Sequence, residues 1–184
     1  MSVTRRSLLA TAAPTFASAA AMAASPSAAS RADAATDQDV ADVVRRATQA
    51  HEALMRGDMR RYRSLLSYTD DFTLMSPFGG KPTHAAQLTD ERMEEIGRFF
   101  KNGRESTLDV VQAYRSADMI VLAVIERTHV AVGDIPEQDW ALRVTLVFRK
   151  EQGQWILAHR HADPLVDAIS VKQSAVLARG SSAR

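Results

Sequence analysis

Apolar side chains recur at three- and four-residue spacing from residue 40 onward, which is typical of a helix with one buried face. Thr36 and Asp39 offer side-chain oxygens that can cap its first turn, and Gly57 ends it. A second short helix is predicted directly after Asp58. The buried faces of the two helices comprise Val40, Val43, Val44, Ala47, His51, Leu54, Met55, Met59, Tyr62, Leu65 and Leu66.

The periodicity changes after these helices. Phe72–Met75 is predicted to be a strand, Ser76–Pro82 a loop, and Asp90–Asn102 a third helix that Asn102 and Gly103 terminate. The remaining segments alternate and are joined by tight polar turns, so they are predicted to be antiparallel neighbours. These strands are Thr107–Tyr114, Met119–Val132, Trp140–Lys150 and Trp155–Asp163. Helices followed by a β-meander predict an α+β fold with helices covering one face of a bent sheet.

Composition narrows the class of protein. The chain has 184 residues, of which 46% are hydrophobic, and its formal net charge is +1. This length suits one domain. With so small a net charge, the chain has no overall positive potential that would attract nucleic acid or an anionic membrane. The sequence contains no cysteine, which excludes disulfides and thiolate catalysis. It also shows neither a Gly-rich phosphate loop nor a Ser-His-Asp order.

The N-terminus has the pattern of an export signal. Thr4-Arg5-Arg6-Ser7-Leu8-Leu9 resembles a twin-arginine motif, and an alanine-rich apolar stretch continues to Ala24. We therefore predict a signal peptide at 1–24, a flexible linker at 25–36, the folded domain at 37–165 and a C-terminal tail at 166–184, either a short helix or disordered. The expected location is the periplasm or the exterior. No later segment is apolar and long enough for stable membrane insertion.

Four segments together resemble a known family. They are Arg56-Gly57-Asp58, the stretch Tyr68–Gly79, the strand Arg143–Arg149 and the ending Trp155–Asp163 with its G-x-W and H-x-H elements. From about Asp37 to Asp163 the chain is similar to SnoaL-like proteins, relatives of nuclear transport factor two, ketosteroid isomerase and the association domain of calmodulin-dependent kinase. The resemblance implies a cone-shaped α+β barrel. Three N-terminal helices pack on a strongly curved antiparallel sheet, with a pocket between them. Members often form homodimers through the outer sheet face, but the fold does not imply a reaction.

The last strand carries the most chemistry. Simple alternation places His159, His161 and Asp163 on one face and Arg160 on the other. Three interpretations are open: two imidazoles that share a metal, polar pocket residues with His161 and Asp163 as an acid–base pair, or structural histidines. We take His161 and Asp163 as the catalytic candidates and His159 as ligand-binding, with no metal. A single β-bulge would exchange His161 for Arg160.

Arg143 lies on an otherwise apolar strand and therefore needs a partner if it is buried. That partner is either a ligand carboxylate or enolate, or an internal acid such as Glu126. On the other interpretation, Arg143 lies on the solvated or interface side of the sheet. The resemblance favours the pocket, because kinase association domains have an arginine in this strand there.

Isomerase chemistry requires a carboxylate base and a neutral oxygen acid in one apolar cavity. Asp71 and Asp163 are candidate carboxylates, and Tyr62 or Tyr68 could be the acid, although these residues equally suit ordinary packing. Tyr62, Tyr68 and Phe78 are therefore taken as ligand-binding candidates.

The sequence supports two hypotheses for function. In the first, the protein is exported and binds a small apolar molecule with a carbonyl or carboxylate, without a cofactor. Whether it is an enzyme stays open; isomerisation, dehydration or cyclisation by proton transfer would suit such a pocket. The alternative is a non-catalytic, dimerising interaction or structural module. Neither hypothesis involves nucleic acid.

Overall fold

The computed structural model describes residues 34–179. The predicted signal peptide and most of the predicted linker lie outside the described residues. Helix α1 (Asp37–Met55) starts with a capping box, in which the Thr36 hydroxyl accepts from the Asp39 amide while the Asp39 carboxylate accepts from the Thr36 amide. Helix α2 (Met59–Leu65) is capped by Asp58, whose carboxylate accepts from the Arg61 amide. Both helices therefore begin where the sequence predicts.

Six strands form one curved, unclosed sheet in the order β2-β1-β6-β5-β4-β3. The strands are β1 (Tyr68–Met75), β2 (Thr83–His84), β3 (Phe100–Arg115), β4 (Met119–Val132), β5 (Ile135–Glu151) and β6 (Gln154–Pro164). A short 3-10 helix (Ala85–Gln87) and helix α3 (Asp90–Phe99) lie between β2 and β3. The predicted α+β fold is confirmed.

The core lies between the concave sheet face and α1. Alternate residues of β4 and β5 are buried there, as expected for a sheet with one covered face. Val43, Ala47 and Ala50 of α1 are buried in the same cluster. Burying one large apolar side chain stabilises the fold by about 1.5–3 kcal/mol. The sheet contributes Ile120, Leu122, Val124, Leu142, Val144, Leu146 and Phe148.

Several predicted boundaries need correction. Strand β1 begins at Tyr68 instead of Phe72, and β3 begins at Phe100 instead of Thr107. Helix α3 ends at Phe99 instead of Asn102, because Phe100 is already extended with φ −101° and ψ 132°. Asn102 has a positive φ of 60° within the irregular start of β3, so the stop signal in the sequence lies inside a strand. Strand β5 begins at Ile135, five residues before the predicted Trp140.

The antiparallel meander from β3 to β6 is confirmed, but β1 adds to it in an unpredicted way. It pairs in parallel with β6, with Leu74 opposite Arg160. On its other side β6 pairs with β5, and the register shifts between Val147–His159 and Phe148–Leu157. One extra residue, Ala158, is therefore accommodated as a bulge.

Within the described chain, no helix is both long and apolar enough to cross a membrane. The C-terminal segment forms helix α4 (Val171–Ala178), the first of the two alternatives for the tail. Its apolar residues remain exposed, with Val171 87% and Leu177 73% accessible.

Candidate functional site

A cavity of about 390 Å³ opens between the helices and the concave face of the sheet. This volume lies within the range of small-molecule sites. Most of its wall is apolar. The lining residues include Leu54 and Met55 from α1, Met59 from α2, Phe72 and Leu74 from β1, Met93, Ile96 and Phe99 from α3, and Leu142 from β5.

Two tyrosine hydroxyls form a polar spot on this wall. The Oη atoms of Tyr62 and Tyr68 are 2.7 Å apart, so one hydroxyl donates to the other. The pair has two hydroxyl protons and this hydrogen bond uses one of them, which leaves one O–H to donate to a third group. Burial raises the pKa of both tyrosines, although the nearby charge of Arg160 counteracts part of the rise. Both hydroxyls are therefore neutral donors at physiological pH.

Arg160 also lines the cavity, and its charge is already paired. Nη1 and Nη2 donate to the two carboxylate oxygens of Glu126, at 2.8 and 2.7 Å. The side chains of Arg160 and Glu126 are only 15% and 3% exposed. Burial acts to raise the pKa of Glu126, but Arg160 and His51 hold it below its usual value. The pair is therefore an ionised, bidentate salt bridge in the core.

His51 of α1 closes the far side of this pair. Its Nδ1 lies 3.4 Å from Glu126 Oε2, and its Nε2 lies 3.3 Å from the carbonyl oxygen of Arg127. Burial lowers the pKa of His51, against the attraction of Glu126. A neutral imidazole has one N–H for these two acceptors. The other ring nitrogen therefore faces an oxygen to which it cannot donate a hydrogen bond. A second, much smaller cavity of about 20 Å³ lies beside this cluster.

The mouth of the cavity is aromatic and charged. Phe78 is 54% exposed and packs edge-on against Phe99, with ring centroids 5.4 Å apart. Arg92 and Glu95 of α3 line the same opening and pair with each other at 2.8 Å. Both are more than half exposed, so solvent screens their charges.

The bulge at Ala158 decides which residues of β6 face the cavity. Simple alternation across it would place His159 and His161 beside Leu157 on the concave face. The extra residue instead turns Arg160 inward, opposite the buried Leu146. This corrects the predicted alternation of the strand, and the exchange of His161 for Arg160 has taken place.

The structure brings the other candidates of β5 and β6 together on the convex face. Arg143 pairs across the strands with Asp163, with Nη2 3.9 Å from the carboxylate, and its side chain is 59% exposed. His161 Nε2 lies 3.6 Å from Asp163 Oδ1. His159 Nδ1 lies 2.7 Å from the Thr73 hydroxyl. None of the four lines the cavity formed by the described residues.

Of the predicted site residues, Tyr62, Tyr68 and Phe78 line the cavity. The acid considered as a partner for Arg143 is Glu126, but the structure pairs Glu126 with Arg160. Asp71 lies outside the cavity and binds Arg149, whose hydrogen bonds, together with that of Thr69, lower the pKa of Asp71 to about 2. The sequence carried one clue to Arg160, namely the possibility of a bulge. The helical pattern placed His51 on the buried face of α1, where the structure has it, but gave no sign of its contact with Glu126.

The described residues contain no cluster of three or more His, Asp or Glu side chains suited to a metal ion. The chemistry that this cavity offers is hydrogen-bond donation from a hydroxyl and from the remaining N–H groups of Arg160. Such donors orient or polarise a carbonyl oxygen in an otherwise apolar environment.

Comparison with known proteins identifies the family. Residues 43–167, more than half of the chain, match the model of the SnoaL-like domain. The chain therefore belongs to the SnoaL-like domain family. No curated protein sequence matches it significantly.

Solved structures show the same fold at low sequence identity. A nuclear transport factor 2-like superfamily protein from Salmonella enterica serovar Typhimurium has a TM-score of 0.60 and 13% identity; the match covers 75% of this chain and 99% of that one. A ketosteroid isomerase-like protein from Erwinia carotovora atroseptica has a TM-score of 0.56 and 19% identity, covering 72% and 100%. A nuclear transport factor 2-like protein from Cytophaga hutchinsonii has a TM-score of 0.55 and 15% identity, covering 71% and 100%. At these identities the likeness establishes the fold alone.

Proposed function

We propose that this SnoaL-like domain binds an apolar small molecule in the cavity between its helices and its sheet. The observation that carries the proposal is the hydroxyl pair of Tyr62 and Tyr68, set in an apolar wall with one O–H left to donate. Such a combination supplies affinity through apolar burial and orientation through one polar contact. The ligand is therefore a molecule with a compact apolar body and an oxygen acceptor.

Binding is better supported than proton-transfer catalysis. A general base has to reach the proton that it removes, within hydrogen-bond distance or through one water. Among the described residues that line the cavity, the one carboxylate is Glu95, which lies at the solvated mouth and pairs with Arg92. The earlier candidates His161 and Asp163 lie on the convex face. If a reaction takes place, the groups at hand are suited to polarising a carbonyl.

Native mass spectrometry tests the proposal directly. The purified protein is compared with a Tyr62→Phe/Tyr68→Phe variant, which keeps both rings and loses both hydroxyls. We expect a co-purifying molecule in the wild type and its loss from the double variant. Tyr114→Phe is the matched control, because Tyr114 is 59% exposed on β3 and is not among the residues that line the cavity.

A co-purifying molecule retained by the double variant would show that the hydroxyls do not hold it. A wild-type protein that is empty after purification, and that binds none of a panel of apolar ketones by calorimetry, would contradict the proposal. That result would favour the alternative of a non-catalytic dimerising module.

A further inference from the structure

We infer that the cavity selects uncharged ligands over anionic ones, and that Glu126, which does not line it, determines this selectivity. The inference rests on the proposed function and specifies its ligand class: an apolar molecule whose oxygen is a ketone, ester or hydroxyl and not a carboxylate. It differs from the sequence-based expectation, which allowed either a carbonyl or a carboxylate.

The charges around the cavity balance one another. Its lining contains three charged side chains, Arg92, Glu95 and Arg160. Arg92 and Glu95 neutralise each other at the mouth, 2.8 Å apart. Arg160 is neutralised from behind by the bidentate carboxylate of Glu126. The described cavity therefore has arginines in its wall but no net charge.

His51 is a further titratable group in contact with this pair. An imidazolium would add a positive charge to the cluster and could balance an anionic ligand. However, the ring is 5% exposed and burial favours its neutral form. The cluster of Arg160, Glu126 and His51 thus sums to zero at physiological pH.

An anion in this cavity would be energetically costly. A carboxylate ligand loses its hydration on entering an apolar cavity, and only an unpaired cation can compensate for that loss. Here it would lie next to Arg160, whose charge Glu126 already balances, and the site would hold a net buried negative charge. A neutral oxygen does not carry this cost. It can still accept from a tyrosine hydroxyl or from a guanidinium N–H that Glu126 does not use, because the guanidinium has five.

The inference makes Glu126 a specificity-determining residue that acts through Arg160. Removing its charge while keeping its shape leaves Arg160 as an unpaired cation facing the cavity. A carboxylate ligand would then supply the missing partner, and the preference of the cavity would invert. A merely structural role for Glu126 would weaken binding of both ligand classes alike.

The experiment uses two probes of the same size and shape, 2-acetonaphthone, which is neutral, and 2-naphthoate, which is an anion. Their dissociation constants are measured by calorimetry at pH 7.5 for the full-length protein. We expect the wild type to bind acetonaphthone at least ~10-fold more tightly than naphthoate. In Glu126→Gln the ratio should fall to one or below, through tighter naphthoate binding. Glu95→Gln, the same chemical change at the solvated mouth, should leave the ratio within about twofold.

A second variant covers the case in which Glu126→Gln does not fold. Glu126→Leu/Arg160→Met replaces the salt bridge by apolar side chains, a change that proteins often tolerate. It should retain the preference for acetonaphthone, since neither charge is present.

Two outcomes separate this inference from the proposed function. If naphthoate binds the wild type as tightly as acetonaphthone, or more tightly, the cavity is functional and the inference on charge is overturned. If neither probe binds the wild type, the proposed function fails and the inference falls with it. A parallel loss of both probes in a folded Glu126→Gln protein would overturn the role of Glu126.

Discussion

The interior of this domain holds polar side chains that a core of this size accommodates only when they are paired. Arg160 and Glu126 satisfy each other through two hydrogen bonds, and Tyr62 and Tyr68 share one. Breaking such a buried ion pair by removing one partner costs about 3–5 kcal/mol, because the other charge is left uncompensated. These pairs therefore constrain the fold, and Arg160, Tyr62 and Tyr68 at the same time line the cavity.

His51 makes the stability of the domain sensitive to mild acid. Its pKa is lowered in the folded state, so below about pH 6.5 the unfolded chain takes up a proton that the folded chain resists. Stability is thus full above pH 6.5 and is lost as the pH falls, by at most about 1.4 kcal/mol per pH unit. We expect the free energy of unfolding in urea to decrease between pH 7.5 and 5.0. His51→Gln should flatten this slope.

The window from pH 7.5 to 5.0 separates the contribution of His51 to stability from that of Glu126. Glu126 also has a lowered pKa, with the same sign, but its contribution is lost only as the pH falls below about 4.3, the ordinary value for Glu. His159 has a lowered pKa as well, from burial and from His161, so some slope should remain in the variant. His84→Gln, at an exposed position, is the control and should match the wild type. An unchanged slope in His51→Gln would show that His51 does not resist protonation.

The sequence indicates which residues are candidates for the site more easily than it indicates the face of the sheet on which each one lies. Tyr62 and Tyr68 were candidates because neutral hydroxyls in apolar surroundings suit a pocket, and both line the cavity. His161 was assigned by alternation, which holds only in a strand without bulges. Ala158 is small and leaves no mark in the hydrophobic pattern, so the position of the bulge could not be derived from local sequence.

At the scale of elements, a close contact between α1 and β3 closes one side of the cavity. Gly103 of β3 lies against the end of α1, and a Cβ placed there would be 2.6 Å from the carbonyl carbon of Met55. The Arg56 side chain donates to the Gly103 carbonyl at 3.4 Å across the same contact. Because Leu54 and Met55 line the cavity, this contact also fixes part of its wall.

Gly103→Ala should therefore destabilise the domain by about 2 kcal/mol or more, since the added methyl group meets backbone that cannot rotate away. The measurement is urea unfolding at pH 7.5. Gly153→Ala separates this steric effect from the loss of a glycine as such. Gly153 has a φ of 82° in the β5–β6 turn with open space around it, so only backbone strain of about 1 kcal/mol is expected. Equal effects of the two substitutions would argue against the close contact.

Helices and strands with a strong hydrophobic periodicity could be predicted from the sequence, whereas the pairing of strands that are distant in sequence could not. The apolar stripe of α1 and the alternation in β4 and β5 identify those elements because one face of each is buried. The parallel pairing of β1 with β6 joins residues 86 positions apart, such as Thr73 and His159, and has no local signal. That pairing nevertheless shapes the candidate site, because it sets Leu74 beside Arg160 in the cavity wall.

At the scale of the whole molecule, the fold determines where the cavity lies, and the side chains that line and support it determine its chemistry. The helices and the curved sheet that enclose the cavity belong to the fold that this domain shares with solved structures. The position of the cavity therefore follows from the fold. Its charge balance does not, because that depends on Glu126, Arg160 and His51, which come from three different elements. For this reason the contacts within this chain, and not its relatives, indicate the ligand class.

We propose that this domain acts outside the cytoplasm, reached through the twin-arginine pattern at Arg5 and Arg6. That route carries folded proteins, and the domain is suited to folding before export, because it contains no cysteine whose oxidation must await another compartment. We expect Arg5→Lys/Arg6→Lys to accumulate as an unprocessed cytoplasmic precursor, as should the wild type in a strain without the twin-arginine pathway. Fractionation and intact mass distinguish precursor from processed protein. Arg60→Lys/Arg61→Lys repeats the substitution on α2 and should be exported normally; a wild-type protein found uncleaved in the cytoplasm of both strains would contradict the proposal.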